Sequence, residues 1–258
     1  MGVTFNCKND SSGRLLCDGI YAGHRVLATF PFFDEEEKVA LMAGRLRSGL
    51  VDAFVGVNDG STDKGPDILR QRGIEVLDQP HMGVGACIKR AVRHARENDY
   101  DILLVMAGNN KDDPEEIPHL LQPILEGTAD YVQGSRFLAG GSSPNLPAFR
   151  WLAIKLLSFF FKLYADGRCT DLTNGFRAYR LSLLDDPRIN IWQSWLDGYE
   201  FEYYLHWKVH KCGYQTREVP VTKTYPAEKG TPYTKVRPFT GWYRMLRPLV
   251  LLSLGIKK

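Results

Sequence analysis

The chain has 258 residues, of which 44% are hydrophobic and 24% charged, and its formal net charge is +3. These values are typical of a globular enzyme with a substantial core, and they exclude an intrinsically disordered chain. The small net charge gives no support to nucleic-acid binding, so no nucleic-acid partner is predicted.

The cysteines and the N-terminus indicate a cellular compartment. The five cysteines, at positions 7, 17, 87, 169 and 212, do not have zinc-ligand spacing. They are predicted to be reduced thiols of a cytosolic protein, with a Cys7–Cys17 disulfide as the alternative under oxidising conditions. Met1–Gly13 lacks the apolar core of a secretory signal, and no run of about 18 apolar residues predicts a membrane-spanning helix. The cytoplasm is therefore the predicted location.

From Arg25 onward, short apolar runs alternate with amphipathic segments. The runs predict strands, and they lie at Arg25–Phe30, Ala53–Val57, Ile74–Leu77, Ile102–Met106 and Tyr214–Val221. The predicted helices follow Asp34–Glu37 or cover Pro66–Arg72, Val84–Asn98, an apolar stretch from Trp151, and Tyr199–Cys212. Such alternation predicts an α/β fold with a mostly parallel, Rossmann-like sheet flanked by helices.

Three regions are predicted along the chain. Residues 1–24, rich in Asn, Ser and Gly, form a tail or a short hairpin. Residues 25–225 form a single α/β domain, and residues 226–258 form a C-terminal segment in which basic and apolar residues alternate.

Polar turns follow several predicted strands. Ligands bind beyond the carboxyl ends of parallel strands, so Pro31–Glu35, Asn58–Asp63 and Ala107–Asp113 are predicted to surround one crevice. Gly83 and Gly85 open a helix, and a helix N-terminus favours anions. The ordinary alternatives are an Asx turn at Asn58–Asp63 and a packing contact at the two glycines.

Five short motifs together point to a known family. They are Pro31–Glu35, Val57–Asp63, Gly134–Phe137, Asp171–Arg177 and Glu218–Pro220. In this order, over roughly residues 25–225, they resemble the inverting family 2 glycosyltransferases of the GT-A fold. The closest branch is that of the dolichyl- and polyprenyl-phosphate sugar synthases. The resemblance implies that a nucleotide sugar binds in the crevice, at the residues Pro31, Phe33, Glu35, Asn58, Asp59, Gly83, Gly85, Ala107 and Asn109.

The segment Ala107–Asp113 departs from the family pattern. The resemblance implies an Asp-X-Asp pair that holds a divalent metal, but Ala107 and Asn109 stand at the two acidic positions. A metal needs hard oxygen ligands, and Lys111 would repel a cation. We therefore expect no metal cofactor and a Lys111 ammonium that contacts the diphosphate directly. The alternatives are an Mg²⁺ or Mn²⁺ ion held by Asp112 and Asp113, or an inactive relative.

Three residues are predicted to act on the acceptor side. Arg136 and Arg177 have the side chain that binds a phosphate in a bidentate manner, with a structural salt bridge as the alternative. Asp171 is the candidate catalytic or sugar-orienting carboxylate, with a purely structural role in bracing the loop Thr173–Arg177 as the alternative. A hydroxyl acceptor would need it as a general base, whereas a phosphate acceptor is already ionised near pH 7.

The C-terminal segment mixes basic residues, including Lys235, with Trp and Leu residues. This mixture suits the surface of an anionic bilayer, and it predicts an amphipathic, membrane-proximal helix and a peripheral membrane protein. Lys235 is an added candidate for contact with a lipid phosphate. The alternative is a docking helix for a partner subunit or a second copy, which leaves a homo-oligomer open.

These observations predict a glycosyltransferase that passes a sugar from a nucleotide-sugar donor to polyprenyl phosphate or another lipid acceptor. Two other functions stay open at this point. One is extension of a polysaccharide on a sugar hydroxyl, and the other is binding of a nucleotide sugar without catalysis.

Overall fold

The structure, a computed structural model, describes residues 7–9, 15–17, 20–21, 23–165, 169–226 and 240–257. Near the N-terminus, strands β1 (Cys7–Asn9) and β2 (Leu15–Cys17) form an antiparallel pair. The predicted division into residues 1–24, 25–225 and 226–258 remains a prediction.

A seven-stranded sheet forms the centre of the fold. Its strands are β3 (Val26–Phe32), β4 (Ala53–Asn58), β5 (Glu75–Asp78), β6 (Ile102–Val105), β7 (Tyr131–Ser135), β8 (Arg177–Arg180) and β9 (Thr216–Pro220). They lie in the order β5-β4-β3-β6-β8-β7-β9, and β8 alone in this sheet runs antiparallel to its neighbours. The predicted mostly parallel α/β sheet is thus confirmed.

Helices cover both faces of this sheet. They are α1 (Glu36–Ala43), α2 (Gly65–Gln71), α3 (Val84–Glu97), α4 (Ile117–Leu125), α5 (Ala148–Ala165), α6 (Glu200–Lys211) and α7 (Thr240–Ser253). Three short 3₁₀ helices lie at Pro114–Glu116, Leu181–Asp185 and Ser194–Leu196. In the described parts of the chain, no helix is both long and apolar enough to cross a bilayer.

The sheet separates two hydrophobic cores. One core contains buried residues of α1, α2 and α4, and the other contains buried residues of α3, α5, α6 and α7. Successive residues of a strand point to opposite faces, so Leu103 enters one core and Leu104 the other. Strand β6 is buried at every position, which explains why its sequence is a continuous apolar run.

Two elements were not predicted from the sequence. Helix α4 contains Pro123, and an internal proline normally argues against a helix. Because Pro123 lies near the C-terminal end of α4, Leu120, Leu121 and Ile124 still form a buried face. Strand β8 was missed because Arg177–Arg180 is short and has arginine at both ends.

Candidate active site

A large cleft opens at the carboxyl ends of the parallel strands. Its volume is about 1040 Å³, which is sufficient for a nucleotide sugar. The segments after β3, β4, β6 and β7 contribute to its wall, together with the start of α3 and parts of α5, α6 and α7. The predicted residues in this wall are Pro31, Phe33, Glu35, Asp59, Gly83, Ala107, Asn109, Lys111 and Arg136.

One end of the cleft is built from aromatic rings and a buried carboxylate. The rings of Phe33 and His81 stack with their centroids 4.1 Å apart. The Asp59 carboxylate accepts hydrogen bonds from the backbone N–H groups of Met82 and Gly83 and from Gln79 Nε2 at 2.8 Å. These bonds fix the loop before α3, so the flat Phe33–His81 wall has a defined position beside the cleft.

The segment after β6 places Lys111 in the cleft wall. The Asp112 carboxylate points inward, where it accepts a hydrogen bond from the Ala107 N–H and forms an ion pair with Lys223 Nζ. Asp112 and Lys223 also form an isolated antiparallel β-bridge, and the Thr224 N–H donates to the Lys111 carbonyl. This pairing holds the Lys111 backbone at the cleft.

The oxygen atoms of this segment do not fit a divalent metal. The carboxylate of Asp112 is occupied by Lys223, and that of Asp113 pairs with Arg45 at 2.9 Å. The Asn109 Oδ1 accepts a hydrogen bond from the Lys111 N–H. Within the described ranges, no cluster of three His, Cys, Asp or Glu side chains has the arrangement of a metal site. Both carboxylates of the metal alternative, those of Asp112 and Asp113, thus already pair with a cationic side chain.

Basic side chains surround Tyr225 in the part of the cleft wall that contains Lys111. Lys111 Nζ lies 5.2 Å and Arg150 Cζ 5.8 Å from the centroid of the Tyr225 ring. Arg136 Nη1 donates a hydrogen bond to the Tyr225 hydroxyl, and Lys223 lines the same wall. We call Lys111, Arg136, Arg150 and Lys223 the cationic cluster. Asp112 pairs with Lys223 and Asp171 with Arg136, and the Glu35 carboxylate lines the same cleft.

The environment of Lys111 disfavours its charge. Burial, together with the positive charges of Lys223 and Arg150, lowers the pKa of its ammonium to about 8. An anionic group bound beside Lys111 would relieve this repulsion. The site is therefore arranged to receive negative charge.

Arg136 and Asp171 form a buried ion pair beneath the cleft. Arg136 donates to the Asp171 carboxylate from its backbone N–H, from Nε at 2.6 Å and from Nη2 at 2.6 Å. Asp171 is fully buried, whereas Arg136 also reaches the cleft wall. This geometry makes Asp171 a brace for Arg136.

The sequence of the chain matches the model of one protein family, glycosyl transferase family 2, over residues 30–186. That span is more than half of the 258 residues. The chain belongs to glycosyl transferase family 2. The expected membership is confirmed, and the protein is a glycosyltransferase.

Related family members act on polyprenyl lipids. The undecaprenyl-phosphate mannosyltransferase of Micrococcus luteus is 32% identical over 205 residues, which cover 77% of this chain and 83% of that protein. The polyprenol monophosphomannose synthase of Mycolicibacterium smegmatis is 28% identical over 208 residues, covering 78% of this chain and 77% of that protein.

Solved structures show the same fold. Glucosyl-3-phosphoglycerate synthase from Mycobacterium tuberculosis, in complex with Mn²⁺, UDP and glucosyl-3-phosphoglycerate, superimposes with a TM-score of 0.65. The match covers 93% of this chain and 83% of that chain at 17% identity. The GT-A fold expected from the motifs is thus confirmed.

Four predicted residues lie outside the cleft wall. Asp171 is enclosed beneath Arg136. The Asn58 side chain donates a hydrogen bond to the Asp78 carboxylate and accepts one from the Ser61 N–H. Gly85 packs tightly against the backbone at Leu196, because a Cβ atom at position 85 would lie 2.0 Å from the Leu196 carbonyl oxygen. This contact favours the packing alternative for Gly85 over phosphate binding.

Arg177 is the fourth of these residues. It is 3% exposed and donates to the carbonyls of Asn174, Leu172 and Glu202 and to the Tyr131 hydroxyl. These internal bonds favour the structural alternative over the predicted phosphate contact. Lys235, the remaining predicted residue, lies outside the described residues.

Sequence reasoning missed several residues of the site. Arg150 and Lys223 complete the cationic cluster around Tyr225, and Glu200 and Glu202 also line the cleft. Lys223 follows β9, which is parallel to β7, so the rule of carboxyl strand ends applied to β9 would have found it. Nothing in the local sequence indicates that Arg150 and Tyr225 approach each other.

Proposed function

We propose that this glycosyltransferase passes a sugar from a nucleotide-sugar donor to polyprenyl phosphate, without a divalent metal. The observation that supports this most directly is the cationic cluster beside the donor cleft. The names of the M. luteus and M. smegmatis relatives supply the acceptor class. In this proposal the Phe33–His81 wall contacts the nucleoside, and the cationic cluster contacts the diphosphate and the acceptor phosphate.

The placement of Asp171 favours a phosphate acceptor over a sugar hydroxyl. A hydroxyl needs a general base within hydrogen-bond reach, and the predicted base is fully buried and bound by Arg136. A phosphate monoester carries negative charge near pH 7 and attacks without a base. Arg136, at the cleft wall, is suited to orient such a phosphate.

The proposed step is a displacement at the anomeric carbon. An oxygen of the acceptor phosphate attacks this carbon, and the bond from the carbon to the donor diphosphate breaks. The nucleoside diphosphate leaves with the bonding electron pair. The Lys111 ammonium lies in the wall where that charge develops and stabilises it electrostatically.

Removal of divalent metal tests this assignment. Enzyme dialysed against EDTA is expected to keep full activity with a nucleotide sugar and polyprenyl phosphate, since positive charge is supplied by side chains. Activity is followed by release of the nucleoside diphosphate. Complete loss of activity with EDTA, restored by Mg²⁺ or Mn²⁺, would contradict the role of Lys111.

The pH dependence of the reaction gives a second test. The pKa of Lys111 is lowered to about 8, so the ammonium is charged at pH 7 and loses its proton as the pH rises above 8. We expect kcat/KM to be level near neutrality and to fall about tenfold per pH unit on the alkaline side. Lys111→Arg is expected to move this decline to higher pH, because guanidinium stays charged. An alkaline decline unchanged in Lys111→Arg would assign it to another group.

The product identifies the acceptor. A sugar linked to lipid phosphate is labile to mild acid, whereas an extended polysaccharide is not. We expect a mild-acid-labile glycolipid from incubation with labelled donor and polyprenyl phosphate. Binding of the nucleotide sugar without turnover on any acceptor would instead favour a non-catalytic relative.

A further inference from the structure

Helices α5 and α7 leave two stripes of large apolar side chains exposed. On α5, Phe149, Leu152, Leu156, Phe159 and Leu163 follow helical spacing, and each is at least half exposed. The exposed apolar residues of α7 and its end are Tyr243, Leu246, Val250, Leu254 and Ile256. The two helices contact each other. We call these ten residues the α5–α7 apolar surface.

The opposite sides of both helices are already used. Ile154, Leu157 and Phe161 of α5 are buried in the core, as are Leu249 and Leu252 of α7. Helix α5 is therefore apolar nearly all round, and a helix of that kind is normally covered on every side. Exposed apolar surfaces of this extent mark protein or membrane contacts.

The charges on these helices indicate which contact is made. Neither Ala148–Ala165 nor Thr240–Ser253 contains an acidic residue, whereas Arg150, Lys155 and Lys162 lie along α5. Lys162 is exposed, and Arg150 is half-buried. Basic side chains among Phe, Trp and Leu complement an apolar layer beneath anionic headgroups. A protein partner would need a surface of matching shape that is both acidic and apolar. No other feature of the described residues indicates such a partner.

The position of the surface links it to the cleft. Arg150, near the start of α5, and Arg247 of α7 both line the cleft wall. The apolar stripe of α5 therefore begins next to Arg150 of the cationic cluster. An amphiphile whose phosphate lies at the cluster would have its hydrocarbon chain beside the α5–α7 apolar surface.

We propose that the α5–α7 apolar surface is a docking surface for an anionic lipid bilayer, with Lys162 against the headgroups. The docking itself is independent of the reaction, whereas the placement of the cleft at the bilayer rests on the proposed function. A substrate drawn from the bilayer then reaches the cationic cluster without leaving the headgroup layer.

Vesicle flotation with the full chain tests the docking. The vesicles contain phosphatidylcholine alone or phosphatidylcholine with phosphatidylglycerol. We expect binding to the anionic vesicles, weakened by salt, and at least about tenfold weaker binding for the double variant Phe159→Glu, Leu163→Glu. The matched control is Leu41→Glu on α1, because Leu41 is 62% exposed and Phe159 and Leu163 are each 61% exposed. Lys162→Gln should weaken binding about fivefold.

The alternatives give different results. Absence of wild-type binding to anionic vesicles would overturn the proposal, as would equal losses for Leu41→Glu and the double variant. A wild-type dimer that becomes monomeric in the double variant, with vesicle binding unchanged, would assign the surface to a second copy. All four substituted residues are exposed, so thermal melts should match the wild type.

Activity separates docking from catalysis. With a water-soluble, short-chain isoprenyl phosphate, the double variant should keep wild-type activity, and with polyprenyl phosphate in vesicles it should lose activity in parallel with binding. Vesicle binding by a wild-type chain that is inactive on both acceptors would refute the proposed reaction and leave the docking surface intact. Equal loss on both acceptors would refute the docking role.

Discussion

Replacing Lys111 by methionine is expected to lower kcat by about 10²–10³-fold and to raise the stability of the protein at pH 7. The first effect follows from the proposed role of the ammonium at the leaving diphosphate. The second follows from its environment, since burial and neighbouring cations lower the pKa of Lys111 to about 8. Methionine fills a similar volume without the charge.

The sign of the stability effect depends on pH. The pKa of a lysine in the unfolded chain is higher than that of Lys111 in the folded protein, so at pH 7 the folded state holds an unfavourable charge. The gain for Lys111→Met is on the order of 1–3 kcal/mol at pH 7. It should shrink as the pH rises from about 8 towards 10, where the wild-type lysine deprotonates.

Urea unfolding at pH 7 and pH 10, together with steady-state kinetics, measures both effects. Lys64→Met is the control, because Lys64 is exposed outside the cleft wall and should change neither property. Lys111→Arg should retain more activity than Lys111→Met. A methionine variant that is fully active, or one that loses stability and activity together, would contradict the proposal.

The sequence predicted the part of the site that is local in the chain. Pro31 lies at the carboxyl end of β3, and Asp59 and Lys111 follow β4 and β6. Such positions converge at one edge of a parallel sheet whatever the details of packing. The chemistry of these positions also follows from the sequence. Ala107, for example, lacks a side-chain oxygen. The position of Lys111 after β6 therefore suffices to predict its place in the cleft wall.

The rest of the site depends on contacts between distant segments. Lys223 reaches Asp112 across 111 positions of the chain, and no local pattern records that pairing. The same limit applies to Asp171, whose sequence motif indicated a catalytic carboxylate. Its burial beneath Arg136 results from the packing of two loops 35 positions apart, and no local pattern records that contact.

Substitution of Asp171 by asparagine is expected to destabilise the protein strongly, because it breaks the buried ion pair with Arg136. Asp171→Asn leaves the Arg136 guanidinium, which is 4% exposed, without its anionic partner. Loss of one member of a buried ion pair costs about 3–5 kcal/mol of unfolding free energy. Chemical denaturation at pH 7 measures this loss.

A surface pair provides the matched control. Arg96 and Asp185 are joined by an ion pair of 2.6 Å, the same separation as Arg136 Nη2 and Asp171 Oδ1, but their side chains are 35% and 71% exposed. Asp185→Asn is expected to cost less than about 1 kcal/mol, since exposed pairs are screened by water. The comparison isolates burial as the cause.

A double variant separates stability from catalysis. Arg136→Met combined with Asp171→Leu replaces two buried charges by apolar groups, and such exchanges are often neutral or stabilising. We expect it to recover most of the stability lost in Asp171→Asn while activity stays low, because Arg136 is the member of the pair that reaches the cleft. If Asp171 were instead a general base for a hydroxyl acceptor, Asp171→Asn would abolish activity with little loss of stability. These opposite outcomes decide between a carboxylate that braces an arginine and one that removes a proton, and with it between a phosphate and a hydroxyl acceptor.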